Sequence, residues 1–377
     1  MTTYKKNTLL VIRWIVGLLF IFSGLIKAND PLGLSYKMQE FFEAWNWHSF
    51  NDYTLILSLV MNVFEVLAGV AIIIGWRTKL FTWLLLLLII FFAFLTGYAL
   101  FSGKIKTCGC FGDCLPLTPA QSFTKDLILF VLILILFINK KQITSSVKSA
   151  VAITFLALCI VFVSFLQGYV MRHLPLLDCL PYKKGNNILK EMKPPPNAVP
   201  DSVVMVFKYR KNGKIIEYSM NDLPADLDSS YEFIDRSDKI IRKGNATPAI
   251  TDFALFALNG NDTTSAILNS TKYSVMLFAK DFENFPAWNN ADFRKLQSQL
   301  QQKQIPLFII TADKQNGETL FGNKQNVTVL LCDGTVIKTA ARVNPTYFVM
   351  KGADIISKFS YVDLNKNISS IKNIGNP

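Results

Sequence analysis

The chain has 377 residues, 51% of them hydrophobic, and a formal net charge of +12. It is too apolar for a soluble protein and too charged to lie wholly in a membrane. Its lysines are scattered, with no compact basic stripe among aromatics, so no nucleic-acid partner is expected; six cysteines are too few for a disulfide scaffold.

A membrane helix needs about 20 mostly apolar residues. Five segments supply them, at 8–27, 53–75, 79–101, 123–139 and 149–170, and the shortest, the fourth, has room to begin a turn earlier. The first lacks a small-residue cleavage site and reads as a retained helix rather than a signal peptide. Short loops orient such a chain by their Lys and Arg content. Lys5 and Lys6, then Arg77 and Lys79, then Lys140, Lys141 and Lys148 all fall on one side, which this rule assigns to the cytoplasm. Lys37, Lys104 and Lys106 on the other side make the bias moderate. The reading is a multi-pass protein of a bacterial inner membrane with its N-terminus cytoplasmic. The loop after the third span and everything after the fifth are then periplasmic, where disulfides persist. Asn245 and Asn326 would be glycosylation sites only in a eukaryotic secretory pathway.

Two ionisable residues sit where lipid penalises them. Arg13 is in the first span and Glu65 in the second; each needs a partner inside the bundle. They are expected to pair with each other, or Arg13 snorkels to the surface and Glu65 serves a structural contact, a ligand or a proton. Lys125 and Asp126 open the fourth span, where Lys125 either snorkels or favours a nearby thiolate. Between the first two spans, Tyr36, Phe41, Phe42 and Trp45 predict an interfacial helix, either an aromatic-belt anchor or a lid over the next loop.

That loop reads Cys108-Gly109-Cys110-Phe111-Gly112-Asp113-Cys114, and Cys179 follows the fifth span on the same side. Thiol exchange needs a nucleophilic thiolate and a second thiol to resolve the mixed disulfide. Cys108 and Cys110 supply such a pair, with Gly109 and Gly112 permitting a tight backbone. Cys114 and Cys179 either join the exchange or close a static bridge, and four cysteines allow three complete pairings. Two rival readings stand beside redox work: disulfides that merely brace the loop, and structural zinc, although paired Cys-x2-Cys knuckles are absent. No metal is assigned. Cys159 is mid-span and reads as a buried hydrophobe.

The segment Arg13-x3-Gly17, running on to Ser23-Gly24-Leu25-x-Lys27, resembles the opening helix of DoxX-like membrane proteins. Glu65-x3-Gly69 with Gly75-x-Arg77 is similar to their second helix, and Cys108-Gly-Cys110-Phe-Gly112 looks like the signature of the MauE branch. The resemblance covers roughly 8–140. It implies a four-helix bundle with the cysteine loop on the outer face and a role in maturing disulfide-containing periplasmic proteins. It also implies a quinone as electron acceptor, held near Glu65 and Arg13.

The soluble half opens with a stiff junction at Lys193-Pro194-Pro195-Pro196 and a hairpin of 203–209 and 214–220 around Asn212-Gly213. A polar stretch runs to about Ala246. From there the pattern predicts a strand at 273–279, a helix at 288–303, a strand at 305–311, a hairpin at 327–339 and strands near 343–350 and 354–359. Asp252-Phe253 and Asn344-Pro345-Thr346 resemble a TlpA-like thioredoxin fold over 248–363. That resemblance implies a cis Pro345 that, with Asn344, docks an extended substrate. The family's dithiol position reads Phe282-Glu283-Asn284-Phe285, so the domain lacks the pair, and Cys332 reads as an inert strand residue.

The expected architecture is an α-helical membrane bundle, DoxX-like plus a fifth span, followed by a C-terminal α/β thioredoxin-like domain. Its parts are 1–147, a fifth helix at 148–172, a linker and hairpin region at 173–247, and 248–377. The expected function is periplasmic thiol–disulfide chemistry on a protein client, with Cys108, Cys110, Cys114 and Cys179 as candidate catalytic residues. The alternative is a non-enzymatic docking or scaffold protein of envelope assembly.

Overall fold

The computed structural model describes residues 3–105, 107–200, 202–211, 213–220, 222–224, 227–242, 244, 246–322 and 324–372. Lys106, Asn212, Asn245 and the side chain of Lys5 lie outside the described residues.

The first half is helical: α1 (Thr3–Asn29), α2 (Pro31–Ala44), α3 (Thr54–Ile74), α4 (Thr78–Ser102), α5 (Pro119–Ile138) and α6 (Ser149–His173). All but α2 are long and apolar enough to cross a membrane, and the chain is a multi-pass membrane protein. The fourth span does begin earlier than its apolar run. Pro119 sits at its first turn, and Thr118 and Gln121 form a reciprocal capping box.

The helices α1 and α3 touch backbone to backbone. A Cβ on Gly17 would lie 2.7 Å from the carbonyl oxygen of Gly69, and one on Gly69 would lie 2.6 Å from that of Gly17. Small residues at such a crossing are what lets membrane helices approach closely. At one end of the bundle the α3–α4 and α5–α6 loops meet, where Ser146 donates to the Ile74 carbonyl (2.9 Å) and Thr78 to that of Lys140 (3.2 Å). Arg77, Lys140 and Lys141 therefore share that end. The cysteine loop, α2 and the soluble half share the other.

The soluble half holds two sheets. The first is the expected hairpin, β1 (Ser202–Lys211) with β2 (Lys214–Ser219), joined by β3 (Glu232–Arg242) in the order β2-β1-β3. The strand β3 hides in the supposed polar stretch because the sheet is mostly exposed, so nothing forces an apolar alternation on Glu232, Asp235 and Asp238.

Before that sheet, α7 (Ile188–Glu191) and its flanks pack on the second one. Ile188 donates to the Ala353 carbonyl (2.9 Å) and Tyr182 lies in the same core. The second sheet contains β4 (Phe256–Ala257), β5 (Tyr273–Phe278), β6 (Leu307–Thr311), β7 (Val327–Leu331), β8 (Thr346–Lys351) and β9 (Asp354–Ser360), in the order β4-β7-β6-β5-β8-β9. The strands β5, β6 and β7 are parallel, and β8 and β9 run antiparallel to their neighbours. Helices α8 (Thr264–Leu268), α9 (Phe285–Trp288), α10 (Ala291–Gln302), α11 (Lys314–Phe321), α12 (Gly334–Ala340) and α13 (Leu364–Lys372) complete the domain. Two apolar cores form, one on each face.

The expected hairpin at 327–339 is wrong in its second half, which is α12. Asp333 caps it, accepting from the amides of Thr335 (2.7 Å) and Val336 (3.3 Å). Val336, Ile337 and Ala340 are its buried residues, a helical spacing that the β-branched run disguised.

Candidate functional site

The cysteine loop joins α4 to α5. Gly109 and Gly112 both take left-handed φ, at +67° and +56°, and the Gly112 amide closes a turn onto the Gly109 carbonyl (3.0 Å). Ser23 of α1 donates to the Cys110 carbonyl (2.9 Å). Cys114, at the end of a 3-10 turn, is bonded to Cys179, with their Cα atoms 4.8 Å apart. Cys108 and Cys110 are free thiols, the first buried and the second half-buried. The bridge thus brings Cys179 to the loop that carries the other three candidate cysteines. It leaves two free thiols there, too few for the four-thiolate zinc site.

Burial, and then the neighbouring Cys110, pushes the Cys108 thiol up to about 11. Burial raises Cys110 too, against the pull of Lys125. The buried Ser122 hydroxyl pulls both thiols downward, against their burial. Both net shifts favour the protonated thiol and make the reactive thiolate scarce.

These thiols line an apolar cavity of about 360 Å³. Its roof is α2, with Phe41, Phe42 and Trp45, and Phe92 and Met61 come from the spans. Of the two roles expected for α2, the contacts favour the lid: Phe41 packs in one cluster with Cys108 and Cys110. Lys27 reaches the cavity, with its ammonium 5.1 Å from the Phe92 ring centre.

The expected Glu65–Arg13 pair does not form. Glu65 pairs with Lys27, both fully buried. Arg13 donates instead to the carbonyls of Ile72 (2.9 Å) and Ile73, at the C-terminal end of α3. Depth explains the difference: at about 1.5 Å per residue, Arg13 lies roughly 20 Å along α1 from Lys27. Nor does Lys125 snorkel. It pairs with the buried Asp126 (2.5 Å) and sits over the Phe111 ring at 5.2 Å, while Thr96 donates to the second Asp126 oxygen (3.0 Å).

Arg342, in the segment after α12, ties the soluble half to this loop. It is 6% exposed. It donates to Asp30 between α1 and α2 (2.8 Å), to Asp113 of the cysteine loop (2.7 Å) and to the Lys338 carbonyl (2.7 Å). Lys358 pairs with Asp178 (2.7 Å), next to Cys179, and His173 with Asp363 (2.8 Å).

The Asn344–Pro345 peptide is cis. Asn344 uses its side chain inside its own domain, accepting from the Lys280 amide (2.9 Å) and donating to Asp281 (2.9 Å). The Pro345 carbonyl accepts from the Tyr361 amide (3.3 Å). After β5, Phe282, Phe285, Trp288 and Phe321 pack as an aromatic cluster. Cys332 is buried beside the end of β7.

Lys27, Ser122, Asp126 and Arg342 escaped the sequence reading as site residues. Lys27 stood in a recognisable motif, but Ser122 and Arg342 carry no local signal.

Residues 5–139 match the family model described as methylamine utilisation protein MauE. The match takes in α1 to α5 and the whole cysteine loop, as the resemblance at 8–140 implied. Residues 203–243 match a domain of unknown function, DUF8463, which coincides with the three-stranded sheet. No curated protein and no solved structure matches the chain.

Proposed function

We propose that this protein carries out thiol–disulfide chemistry in the maturation of envelope proteins, with Cys108 and Cys110 as its working dithiol and a quinone as oxidising substrate. The observation that carries the reading is that both free thiols open onto an apolar, aromatic-walled cavity lined by α2 and by residues of the spans. Its volume lies in the range of small-molecule sites, and its lining suits a flat hydrophobic ring. Lys27 offers a buried cation to a ring oxygen. Oxidation is balanced when Cys108 and Cys110 lose two protons and two electrons to form one disulfide and the quinone gains both to become a quinol.

The charged loops support a bacterial inner membrane, with the lysine-rich end cytoplasmic and the cysteine loop and α/β domain periplasmic. The likeness to MauE supports an accessory role for the membrane half. The order β6-β5-β8-β9 and the cis Pro345 support a TlpA-like thioredoxin fold without its dithiol, and the aromatic cluster in the dithiol's place makes it a docking module for a protein client.

The aromatic cluster and the protonated thiols also favour a second reading, a membrane-anchored scaffold whose cysteines only brace the loop. Thiol trapping in intact membranes separates the two. Turnover predicts that Cys108 and Cys110 shift from free to bonded when a short-chain quinone is added. A pair that stays unchanged by quinone, with normal function in Cys108→Ala and Cys110→Ala, leaves the scaffold.

A further inference from the structure

The loop that carries the cysteines separates two spaces, one almost wholly apolar and the other rimmed by charged residues. On one side is the apolar cavity with Cys108 and Cys110 in its wall. On the other is a cleft of about 750 Å³ between α2, the loop and the α/β domain, lined by charged and apolar residues together, and there the cysteine in the wall is Cys179. Lys37 of α2 borders both. Cys110 and Cys114 are four residues apart with Gly112 between them. Even fully extended, that chain spans no more than about 14 Å. Gly109 and Gly112 hold left-handed φ, so the loop's turns rest on residues that lose least when the backbone rearranges.

We propose that Cys114–Cys179 is the client-facing disulfide of a two-pair relay, and that its substrate is a reduced dithiol in an extended polypeptide lying in that cleft. The proposal rests on the quinone-linked reading of Cys108 and Cys110. The client thiolate attacks Cys179, the sulfur that borders the cleft, and Cys114 leaves as a thiolate. The client's second thiol then displaces Cys179, so the client gains one disulfide while Cys114 and Cys179 become two thiols. Cys114, on the same short loop as the inner pair, attacks a Cys108–Cys110 disulfide. Cys179 resolves the product, which regenerates Cys114–Cys179 and leaves Cys108 and Cys110 as thiols. The structure shows this last state, outer pair bonded and inner pair reduced. Quinone then takes two electrons and two protons from Cys108 and Cys110. The cleft offers the client mixed charge from Lys183, Glu40, Glu43 and Glu191 beside apolar surface from Pro116, Leu180 and Pro181, which suits an extended segment that carries both polar and apolar side chains.

The full chain in proteoliposomes tests the relay, with a reduced two-cysteine peptide as client, a short-chain quinone as acceptor, and mass-tag alkylation to read each pair. Wild type is expected to turn over. Cys114→Ser/Cys179→Ser is expected to lose peptide oxidation at least tenfold, while quinone still oxidises Cys108 and Cys110. Peptide oxidation that survives in this variant makes Cys114–Cys179 a staple and overturns the relay, with the quinone-linked reading intact. Failure of quinone to oxidise Cys108 and Cys110 in wild type overturns that reading and the relay with it. Should the double variant not fold, Cys108→Ser/Cys110→Ser decides. The relay expects one equivalent of peptide oxidised per chain and then arrest. No oxidation at all, or continued turnover, sinks it.

Discussion

Lys27 and Glu65 form an ion pair sealed inside the helix bundle, and Lys27 also reaches the cavity that holds Cys108 and Cys110. A pair taken this far out of water gains little net stability, yet removing one partner strands the other charge. Lys27→Met is therefore expected to destabilise the bundle by about 3–5 kcal/mol. The double variant Lys27→Met/Glu65→Leu should recover most of that loss in thermal unfolding followed in detergent. If the pair serves the quinone, the double variant folds but oxidises Cys108 and Cys110 slowly. A folded double variant with wild-type oxidation would confine the pair to structure.

The α1–α3 crossing makes a second prediction. Gly69 meets the Gly17 carbonyl so closely that a Cβ has nowhere to go, whereas a Cβ on Gly168 of α6 meets nothing within 4 Å. Both are helical glycines, so intrinsic propensity would favour Ala at each by about 1 kcal/mol. Gly69→Ala should lower the unfolding temperature and Gly168→Ala should leave it unchanged or raise it. Equal effects in the two variants would mean that the helices are not in backbone contact.

Such contacts mark the boundary of what the residues announce on their own. The spans were legible because lipid imposes a long apolar run, and the cysteine loop because three cysteines in seven residues have few uses. Partner choice was not. Glu65 has two basic candidates on α1, Arg13 and Lys27, and only the helix crossing sets which one shares its depth. The α12 helix was read as a strand because Thr335, Val336 and Ile337 are β-branched, and the Asp333 cap outweighed that bias. Arg342 looked like any basic residue between two elements, and its importance comes from Asp30 and Asp113, which lie far away in sequence.

The thiols give a pH prediction. Because burial holds the Cys108 thiol near 11, its thiolate is scarce at neutral pH and grows as pH rises towards that value. Against its ordinary value of 9.0, the thiolate fraction at pH 7 is smaller by roughly 100-fold. Alkylation of Cys108 by iodoacetamide should be slow at pH 7 and gain about tenfold per pH unit up to that point. Lys125 draws the Cys110 thiol downward, so Lys125→Met should slow alkylation of Cys110 at fixed pH. Faster labelling in that variant would contradict the electrostatic role given to Lys125.

Arg342 should govern how the α/β domain acts on the loop. Its guanidinium is the shared donor to Asp30 and Asp113, and both carboxylates hold it charged against its burial. Arg342→Met keeps the bulk and removes the donors, which leaves Asp30 largely buried without its cation. The expected cost is about 3 kcal/mol, the low end for breaking a buried pair, because Asp113 stays partly hydrated. The loss should be local. Hydrogen exchange is expected to speed up in the cysteine loop and at the start of α2, while the amides of β5 and β8 keep their protection. Lys338→Met is the comparison: it keeps the backbone carbonyl that meets Arg342 and removes only an ammonium over the Tyr36 ring, so its effect on the loop should be smaller. A loop that stays protected in Arg342→Met would show that the disulfide and α2 suffice to hold it, and would remove the α/β domain from control of the cysteines.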